Sequence, residues 1–537
     1  MLIAGEISGI QSYLFDVAHE GGGQARRLRA RSFFIQMLVE AVALRILRAV
    51  GWRYDQILFC NAGKFLAQGE DLDQVQLRPL EETQRQITLW LLEETGASLR
   101  LSLVAQSEEG PAAENYQRTM QQLAHKKKRA WSEVAIEGGR WQMERLTLPP
   151  LDEPCEICHQ RSSERQETDD GIVRSVCRRC NSGREIGKRL PSAKWAVLSE
   201  LEPPGGFDLC GWRFTLSEQQ PVLRDGEIAI SLDGKRNGTE NEDDRFIRRR
   251  LLRHIPTENG LPVEFEELAD KSRGDRLLGV LKMDGDGFGA HINHLIQGST
   301  DLKKFVDFSR ECDEFFAGCL NNLMSEHPWD LIYTVFSGGD DLLLVGPWDV
   351  VFDFAGEIQS RFYEQFHSRG LTISGGFALI NWKQPIRLAA EQAEQWLDWA
   401  KREPAIGERE GRNQFAAFGQ VWKWPDHQRV VACAHQLVAW TENKLIERGW
   451  LHTLLRLSEM RFDNRSKGEG GLATARLAHT VARNYPRRDD PNPERAALRR
   501  WADSLVKDFD RMNYVETRCL SAIARYALTA TRSRREE

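Results

Sequence analysis

The stretch TVFSGGDDLLLV, from Thr334 to Val345, decides the fold. One apolar run enters two glycines and two aspartates, and a second apolar run leaves them, which is the pattern of a β-hairpin. The turn places Asp340 and Asp341 side by side between strands that favour burial. Two adjacent carboxylates repel each other and resist losing water. The pattern therefore predicts either an exposed turn, since Gly and Asp are common there, or a site with a neutralising cation.

A segment near the amino terminus matches the surroundings of this hairpin. Lys282 to Gly289 is KMDGDGFG and Ala4 to Gln11 is AGEISGIQ. In each, an apolar strand ends in an acid, Asp284 or Glu6, with a glycine three residues later. A long apolar helix follows in both, and then a strand and turn, which in the first copy is ILFCNAGKFLA. The sequence thus predicts two copies of one domain.

Later segments of the two copies also correspond. ASLRLSLVA (97–105) and LTISGGFAL (371–379) both predict strands, each followed by a helical stretch. The order strand, helix, strand, hairpin, strand, helix, strand predicts an α+β sheet with helices on one face. The alternative is chance similarity between two ordinary α+β segments, because the identities are few.

The first strand and the hairpin are neighbours in such a sheet, so we expect Asp284 to face Asp340 and Asp341. Three carboxylates this close have raised pKa values unless cations neutralise them. Magnesium prefers oxygen ligands and leaves positions for water and phosphate. Two such ions about 4 Å apart can activate an attacking hydroxyl and stabilise a leaving pyrophosphate. The three carboxylates therefore predict that the second copy catalyses nucleotidyl transfer.

The first copy differs at the turn, where Ala62, Gly63 and Lys64 stand in place of Gly339, Asp340 and Asp341. It offers no carboxylate there, so we expect it to hold no metal and to supply a wall for a second nucleotide. In the second copy, the paired glycines allow a nucleotide to approach the backbone closely.

Four cysteines form a separate metal-binding pattern. The segment CEICHQRSSERQETDDGIVRSVCRRC contains two C-x-x-C pairs, formed by Cys155 and Cys158 and by Cys177 and Cys180. Two such pairs provide four thiolates for tetrahedral zinc and leave no open position, so the predicted zinc is structural. The alternative is four free thiols on a loop. The polar insert between the pairs is too hydrophilic for a core, so metal is expected to supply most of its folding free energy.

Composition narrows the class of protein. The 537 residues predict three or four domains, and a formal charge of −6 excludes a generally basic surface. Two basic clusters, His125 to Trp131 and Arg245 to His254, either contact nucleic-acid phosphates or form solvated helix faces. The most apolar helix, Phe33 to Leu47, carries Gln36, Glu40 and Arg45, so we expect a cytoplasmic protein without a membrane span.

Together these motifs resemble the large catalytic subunit of type III CRISPR effector complexes, the polymerase of the Csm and Cmr systems. The resemblance rests on GGDD, DGDGFG upstream, the opening GEISGIQSYLF and the four-cysteine insert. It implies an α+β fold with two ferredoxin-like palm domains of the GGDEF/cyclase type. The implied domains are a degenerate first palm (1–145), a zinc-binding linker domain (146–260), a catalytic second palm (261–425) and a C-terminal helical domain (426–537).

The resemblance also implies a function. Target RNA, bound by a guide RNA held in partner subunits, switches on conversion of ATP to cyclic oligoadenylates, which reach downstream effectors by diffusion. The implied ligands of two magnesium or manganese ions are Asp284, Asp340 and Asp341. Similarity to the cyclases implies that Lys401, in AEQAEQWLDWAK, contacts the triphosphate. The other implied nucleotide-binding residues are Ser337, Gly338, Gly339, Gly285 and Asp286, the last either a second-rank ligand or a cap of the turn.

Several alternatives stay open at this point. The chain can be a non-catalytic scaffold of the same complex, or a diguanylate-cyclase-like enzyme, which Asp341 in place of Glu and Leu342 in place of Phe disfavour. The ring size of the product, a different acceptor for AMP and the subtype are not decided. Many family members begin with a His-Asp nuclease domain, but here the first palm begins at residue 1 and none of the twelve histidines precedes an aspartate. We therefore predict no DNase activity.

Overall fold

The computed structural model contains four consecutive regions, of which the first is the predicted first palm. The residues it describes are 1–15, 24–137, 140–147, 150–169, 172–200, 206–232, 245–248, 253–297, 299, 301–465, 470–487, 489–509 and 514–532. The first sheet is antiparallel, with the strand order β2-β3-β1-β4. The elements are β1 (Leu2–Ser8), α1 (Ile10–Phe15), α2 (Gln24–Ala49), β2 (Ile57–Asn61), β3 (Lys64–Gln68), α3 (Gln74–Thr95), β4 (Arg100–Gln106) and α4 (Ala112–Lys128).

The middle region contains a hairpin between the cysteine pairs and a five-stranded sheet of order β10-β11-β9-β12-β13. The sheet was not expected from the sequence, although the all-buried run WAVLS of β9 has the composition of a core strand. The elements are α5 (Ser132–Ala135), β5 (Ile136–Glu137), β6 (Arg140–Trp141), β7 (Arg165–Asp169), β8 (Ile172–Val176), α6 (Arg178–Arg189), β9 (Trp195–Ser199), β10 (Phe207–Leu209), β11 (Trp212–Ser217), β12 (Ile228–Ser231), β13 (Phe246–Arg248), β14 (Thr257–Glu258), β15 (Leu261–Pro262) and α7 (Phe265–Asp270).

The third region is the predicted second palm, with a sheet of order β17-β18-β16-β19-β20-β21. Its first four strands repeat the order of the first sheet, and in both regions an additional helix, α3 or α11, follows the hairpin. The elements are β16 (Leu277–Asp286), α8 (Phe288–Ile296), α9 (Lys303–Asp313), a π-helix (Glu314–Cys319), α10 (Leu320–Leu323), β17 (Tyr333–Gly338), β18 (Asp341–Pro347), α11 (Trp348–Phe366), β19 (Thr372–Asn381), α12 (Ile386–Arg402), β20 (Gln414–Ala417) and β21 (Gln420–Lys423).

Helices cover both faces of the second palm sheet, so the expectation of helices on one face is wrong. Val280 of β16 lies in a core shared with the first palm and α12. Leu281 and Met283 lie in a different core, formed with α11 and the C-terminal helices. Because successive strand residues point to opposite faces, an apolar run such as LLGVLKM indicates burial on both faces. The shared core holds the two palms together.

The C-terminal region is helical and packs on α11. Its helices are α13 (Trp424–Glu442), α14 (Arg448–Arg465), α15 (Gly470–Asn484), α16 (Pro493–Asp508), α17 (Val515–Arg518) and α18 (Leu520–Ala530). The buried Arg461 joins three of these segments, because its guanidinium donates to the carbonyls of Phe509 and Thr517, at 2.6 Å each. Across the described part of the chain, every helix is too short or too polar to cross a membrane.

Candidate active site between the two palms

The second palm hairpin brings the three predicted acids to one edge of the sheet. Asp284 of β16 is the direct antiparallel partner of Asp341 of β18. The backbone N–H of Gly285 donates to the carbonyl of Asp340 at 2.9 Å, which fixes the turn against the end of β16. The strand register therefore juxtaposes Asp284 with both turn aspartates, as the sequence predicts.

Both turn aspartates, Asp340 and Asp341, have raised pKa values. Burial, reinforced by Asp284 and Asp341, raises the pKa of Asp340 to about 6. Burial also raises the pKa of Asp341 to about 6, although Lys282 opposes the shift. The Oδ1 atom of Asp341 is buried and has no hydrogen-bond partner among the described residues. An unsatisfied buried carboxylate oxygen is costly and is typical of a group that binds a ligand.

Two lysines partly neutralise these acids. Lys401 of α12 forms an ion pair with Asp284. Lys282 of β16 is buried, forms an ion pair with Glu394 of α12, and lies 3.8 Å from Asp341. Lys282 and Glu394 were missed from the sequence. A lysine within the apolar strand LLGVLKM, two residues before Asp284 and so on the same face, is the pattern that identifies Lys282.

Asp284, Asp340 and Asp341 form an acidic edge of the sheet. Their oxygen atoms suit divalent ions, although the three carboxylates do not form a tight cluster. Among the described residues, the cysteines alone form a group of three or more candidate ligands with all ligand atoms within 4.8 Å of one another. The three aspartates are spread more widely, with Lys401 paired to one of them. Hard oxygen donors, raised pKa values and an orphaned oxygen suit magnesium or manganese. Asp284, Asp340 and Asp341 are the residues that would hold such ions.

Asp286 has a different environment from the other acids. It is buried, and its carboxylate accepts hydrogen bonds from the hydroxyls of Thr372 and Ser374 and from the backbone N–H of Asn413. These bonds tie β16 to β19 and to the segment before β20. Because protein donors occupy its oxygens, the geometry favours the interpretation of Asp286 as a structural cap over that of a metal ligand.

The paired glycines allow the two palms to touch. A Cβ atom on Gly338 would lie 3.0 Å from the Cα of Ala62, and one on Gly339 would lie 3.2 Å from its Cβ. Gly339 also has a φ of +66°, which disfavours other residues. The hydroxyl of Ser337 donates to the carbonyl of Phe316, in the π-helix, at 3.4 Å. The glycines thus allow the turns of the two palms to touch, and the approach of a nucleotide to them stays a prediction.

A cleft of about 1140 Å³ lies between the palms and contains the acidic edge. The first palm contributes a reduced copy of the site, since Lys127 of α4 pairs with Glu6 at 2.6 Å. Glu6 is the strand partner of Lys64, as Asp284 is of Asp341. Residues lining the cleft from both sides include Glu6, Ser8, Gln11, Lys64, Arg100, Lys127, Lys282, Asp284, Gly338, Asp340, Asp341, Arg387, Glu391 and Glu394.

The basic clusters have mixed environments. Lys127, in the cluster from His125 to Trp131, reaches the cleft, whereas Lys126 pairs with Glu133 on the outside. In the second cluster, Arg253 donates to the carbonyl of Ala193 at 2.6 Å. Residues 249–252 of that cluster lie outside the described residues. Lys127 is therefore a site residue that the sequence analysis treated only as part of a charged face.

The four cysteines converge on one point. They are buried with Ile157 and Val176 in a small separate core. The sulfur atoms of Cys158 and Cys177 are 3.8 Å apart, and four sulfurs placed 2.3 Å from zinc would be about 3.8 Å apart. Hydrogen bonds with Cys158 and the two other thiols lower the pKa of Cys155, whereas hydrogen bonds with Cys155 and Cys158 raise the pKa values of Cys177 and Cys180. The cluster therefore fits a tetrahedral metal.

Two family models match the palms. The model for the second palm domain of Cas10/Cmr2 matches residues 277–416, and the model for domain B of the Csm1 subunit matches residues 1–139. Together they span more than half of the chain. The chain belongs to the Cas10/Csm1 family. Its match to the Csm1 model favours the Csm over the Cmr branch.

Individual relatives agree with this assignment. A Cas10/Csm1 protein of Thermococcus onnurineus, named as a single-strand-specific deoxyribonuclease of subtype III-A, is 26% identical over 78% of this chain and 55% of its own length. The chain thus spans little more than half of that relative. Crystal structures of a Csm1-Csm4 cassette with cA3 and with pppApA have TM-scores of 0.72 and 0.73. They are 20% and 21% identical, and each match covers 99% of this chain and 69% of the other. These structures show that the Cas10/Csm1 fold extends over the whole chain.

Proposed function

We propose that this chain is the polymerase subunit of a type III-A CRISPR effector complex and converts ATP to cyclic oligoadenylates when target RNA binds. The observation that carries the proposal is the juxtaposition of Asp284 with Asp340 and Asp341 in a cleft walled by two palms. The Csm1-Csm4 structures with pppApA and cA3 support this substrate class. The proposed partners are a Csm4-like subunit, the other complex subunits, the guide RNA and the target RNA.

Each residue of the acidic edge has a defined part in the proposed reaction. The 3′-hydroxyl oxygen of one nucleotide attacks the α-phosphorus of the next, and the bond to pyrophosphate breaks. Two divalent ions would stabilise the attacking and leaving oxygens when bound to Asp284, Asp340 and Asp341. Lys401 exchanges its pairing with Asp284 for the triphosphate, and Lys282 orients Asp341. The turn from Ser337 to Gly339 lies against the nucleotide.

The first palm holds the second nucleotide in this proposal. Lys64, Arg100 and Lys127 bring positive charge to its side of the cleft, and the turn carries no carboxylate to bind a metal. Positive side chains without a metal site suit the phosphates of a bound nucleotide. Gln11 of the first palm donates to Glu394 of the second at 3.3 Å, so both walls are linked across the cleft.

The assembled complex with guide and target RNA provides the test. It is incubated with ATP or GTP and with magnesium or manganese, and the products are resolved by chromatography. We expect cyclic adenylate products from ATP that depend on target RNA and disappear in Asp340→Asn. Absence of any product from a complex with intact acids would favour the scaffold, and a product from GTP alone would favour the cyclase-like alternative.

The proposal has two further parts. One concerns the metal bound by the cysteine cluster, and the other concerns DNase activity. We propose one structural zinc at Cys155, Cys158, Cys177 and Cys180. The deoxyribonuclease named in the relative's description is not assigned to this chain, and the absence of DNase activity stays a prediction. Metal-dependent cleavage of single-stranded DNA by the purified chain would contradict it.

A further inference from the structure

A second cavity, of about 240 Å³, lies where the first palm, the cysteine cluster and the five-stranded sheet meet. It is separate from the cleft between the palms and shares no lining residue with it. Its carboxylates are Glu94 and Asp208. Its arginines are Arg27, Arg31, Arg161, Arg178, Arg179 and Arg213. Such a concentration of guanidinium groups is unusual in a chain with a net charge of −6.

The carboxylates near the cavity are shared between arginines. Glu94 pairs with both Arg161 and Arg179. Glu167, which lies next to Arg27, pairs with it at 3.2 Å and with Arg184 at 3.3 Å. Six arginines and two carboxylates line the cavity, so the formal charge of its wall is positive.

Two arginines have no carboxylate partner within the part of the chain that the structure describes. Arg31 donates to the backbone carbonyl of Tyr13 at 2.6 Å and lies 5.2 Å from the centre of its ring. Arg178 is exposed at the start of α6 and forms no ion pair with another described residue. These two side chains are available to an anion that enters the cavity.

The volume of the cavity and the side chains that line it indicate which type of anion it can hold. The rings of Tyr13 and Phe34 are buried, and the Arg179 guanidinium lies 4.6 Å and 5.9 Å from their centres. The rings thus hold an arginine and are not free to stack on a base. The volume is below the roughly 300–1,000 Å³ typical of sites for whole small-molecule ligands. Guanidinium forks match phosphate oxygens in pairs.

We propose that this cavity binds a phosphate group, carried by a free phosphate compound or by the backbone of an RNA strand. A phosphate held by Arg31 of α2 and Arg178 of α6 joins the first palm to the cysteine cluster. This site is independent of the proposed ATP chemistry, because none of its residues lies in the cleft between the palms.

Binding to the full chain tests the proposal, without added divalent metal and without chelator so that the cysteine cluster keeps its metal. Calorimetry measures sodium pyrophosphate in one arm and a short single-stranded RNA with 5′-hydroxyl ends in the other. The variant is Arg31→Gln with Arg178→Gln. The matched control is Arg78→Gln with Arg85→Gln, which removes the same charge from the exposed surface of α3.

The cavity variant should weaken binding by about tenfold or more relative to the control, because each lost hydrogen bond joins two charged groups. A loss confined to pyrophosphate identifies a small phosphate compound as the source, and a loss confined to RNA identifies the strand. Equal affinities of variant and control in both arms would overturn the proposal. If the variant loses its fold by circular dichroism, Arg31→Lys with Arg178→Lys replaces it. That variant keeps the charge but not the fork, and unchanged binding by it would equally overturn the proposal.

Discussion

At the scale of single residues, the acidic edge is a compromise between charge and burial. The orphaned oxygen of Asp341 and the raised pKa values of Asp340 and Asp341 show that the folded chain holds ionised carboxylates at a cost. Lys282 and Lys401 reduce that cost without removing it. Substitution of one of these aspartates should therefore weaken the binding of divalent ions and raise the free energy of unfolding of the metal-free chain.

Asp341→Asn is expected to stabilise the metal-free chain at pH 7 by about 1–3 kcal/mol while abolishing product formation. The pKa of Asp341 rises from 3.8 in the unfolded chain to about 6 in the folded chain. Protonation of Asp341 therefore makes its full contribution to the free energy of unfolding below about pH 4, and this contribution is lost as the pH rises through about 6. The gain should consequently vanish near pH 4. Chemical denaturation at several pH values measures it, with exposed Asp307→Asn as control. A destabilised variant at pH 7 would contradict the account.

Lys401→Met should separate metal binding from nucleotide binding. Loss of the ion pair with Asp284 removes a competing cation, so manganese is expected to bind at least as tightly as to the unchanged chain. ATP should bind about tenfold more weakly, because a charged contact to the triphosphate is lost. Manganese and ATP titrations of the same preparation check both. Equal losses of both affinities would point instead to a collapsed site.

At the scale of elements, the two turns are the most sensitive contact between the palms. Gly339→Ala and Gly370→Ala both place a side chain at positive φ, +66° and +70°, and each should cost about 1 kcal/mol of stability. A Cβ atom added at Gly370 would have no described atom within 4 Å, whereas one added at Gly339 would lie 3.2 Å from the Cβ of Ala62. We expect only Gly339→Ala to lose most of its activity in the ATP assay. Equal activities would show that the turn contact is dispensable.

The cysteine cluster is the element that depends on metal. Cys177→Ser should lower bound zinc from one per chain towards none and expose residues 155–189 to hydrogen exchange, because structural zinc supplies on the order of 10 kcal/mol of binding free energy. Elemental analysis and hydrogen exchange measure the two effects. Cys433→Ser, at a half-buried cysteine outside the cluster, is the control. Full zinc content in Cys177→Ser would refute tetrahedral ligation by these four residues.

Most elements near the site could be predicted from the sequence because local patterns specify them. The hairpin from Thr334 to Val345 and the two C-x-x-C pairs carry their own turn and ligand residues. The five-stranded sheet was missed because its strands are short and pair across long intervals, as β9 does with β12. The helices on both faces were missed because the direction in which a helix packs depends on tertiary contacts. Lys282 and Lys127 were missed for a similar reason, since their partners lie on other elements.

At the scale of the whole molecule, the reduced site of the first palm should bind one of two nucleotides. Lys127→Met is expected to lower the stoichiometry of ATP binding from two per chain to one, because Lys127 is the first-palm counterpart of Lys401. Lys126→Met removes the same charge one residue away on α4, outside the cleft, and should leave two. Equilibrium dialysis with the assembled complex counts the bound nucleotides. A stoichiometry of two in Lys127→Met would exclude this assignment.

The contact between Gly338 and Ala62 limits how hybrid proteins can be built from this chain. Replacing residues 1–139 with the corresponding part of a relative would introduce a steric clash wherever that donor carries a bulkier group opposite Gly338. The turns that contain Ala62 and Gly338 would then have to be exchanged together, or the turn that stays would have to be shortened. Shuffling experiments should accordingly exchange the two halves as a matched set.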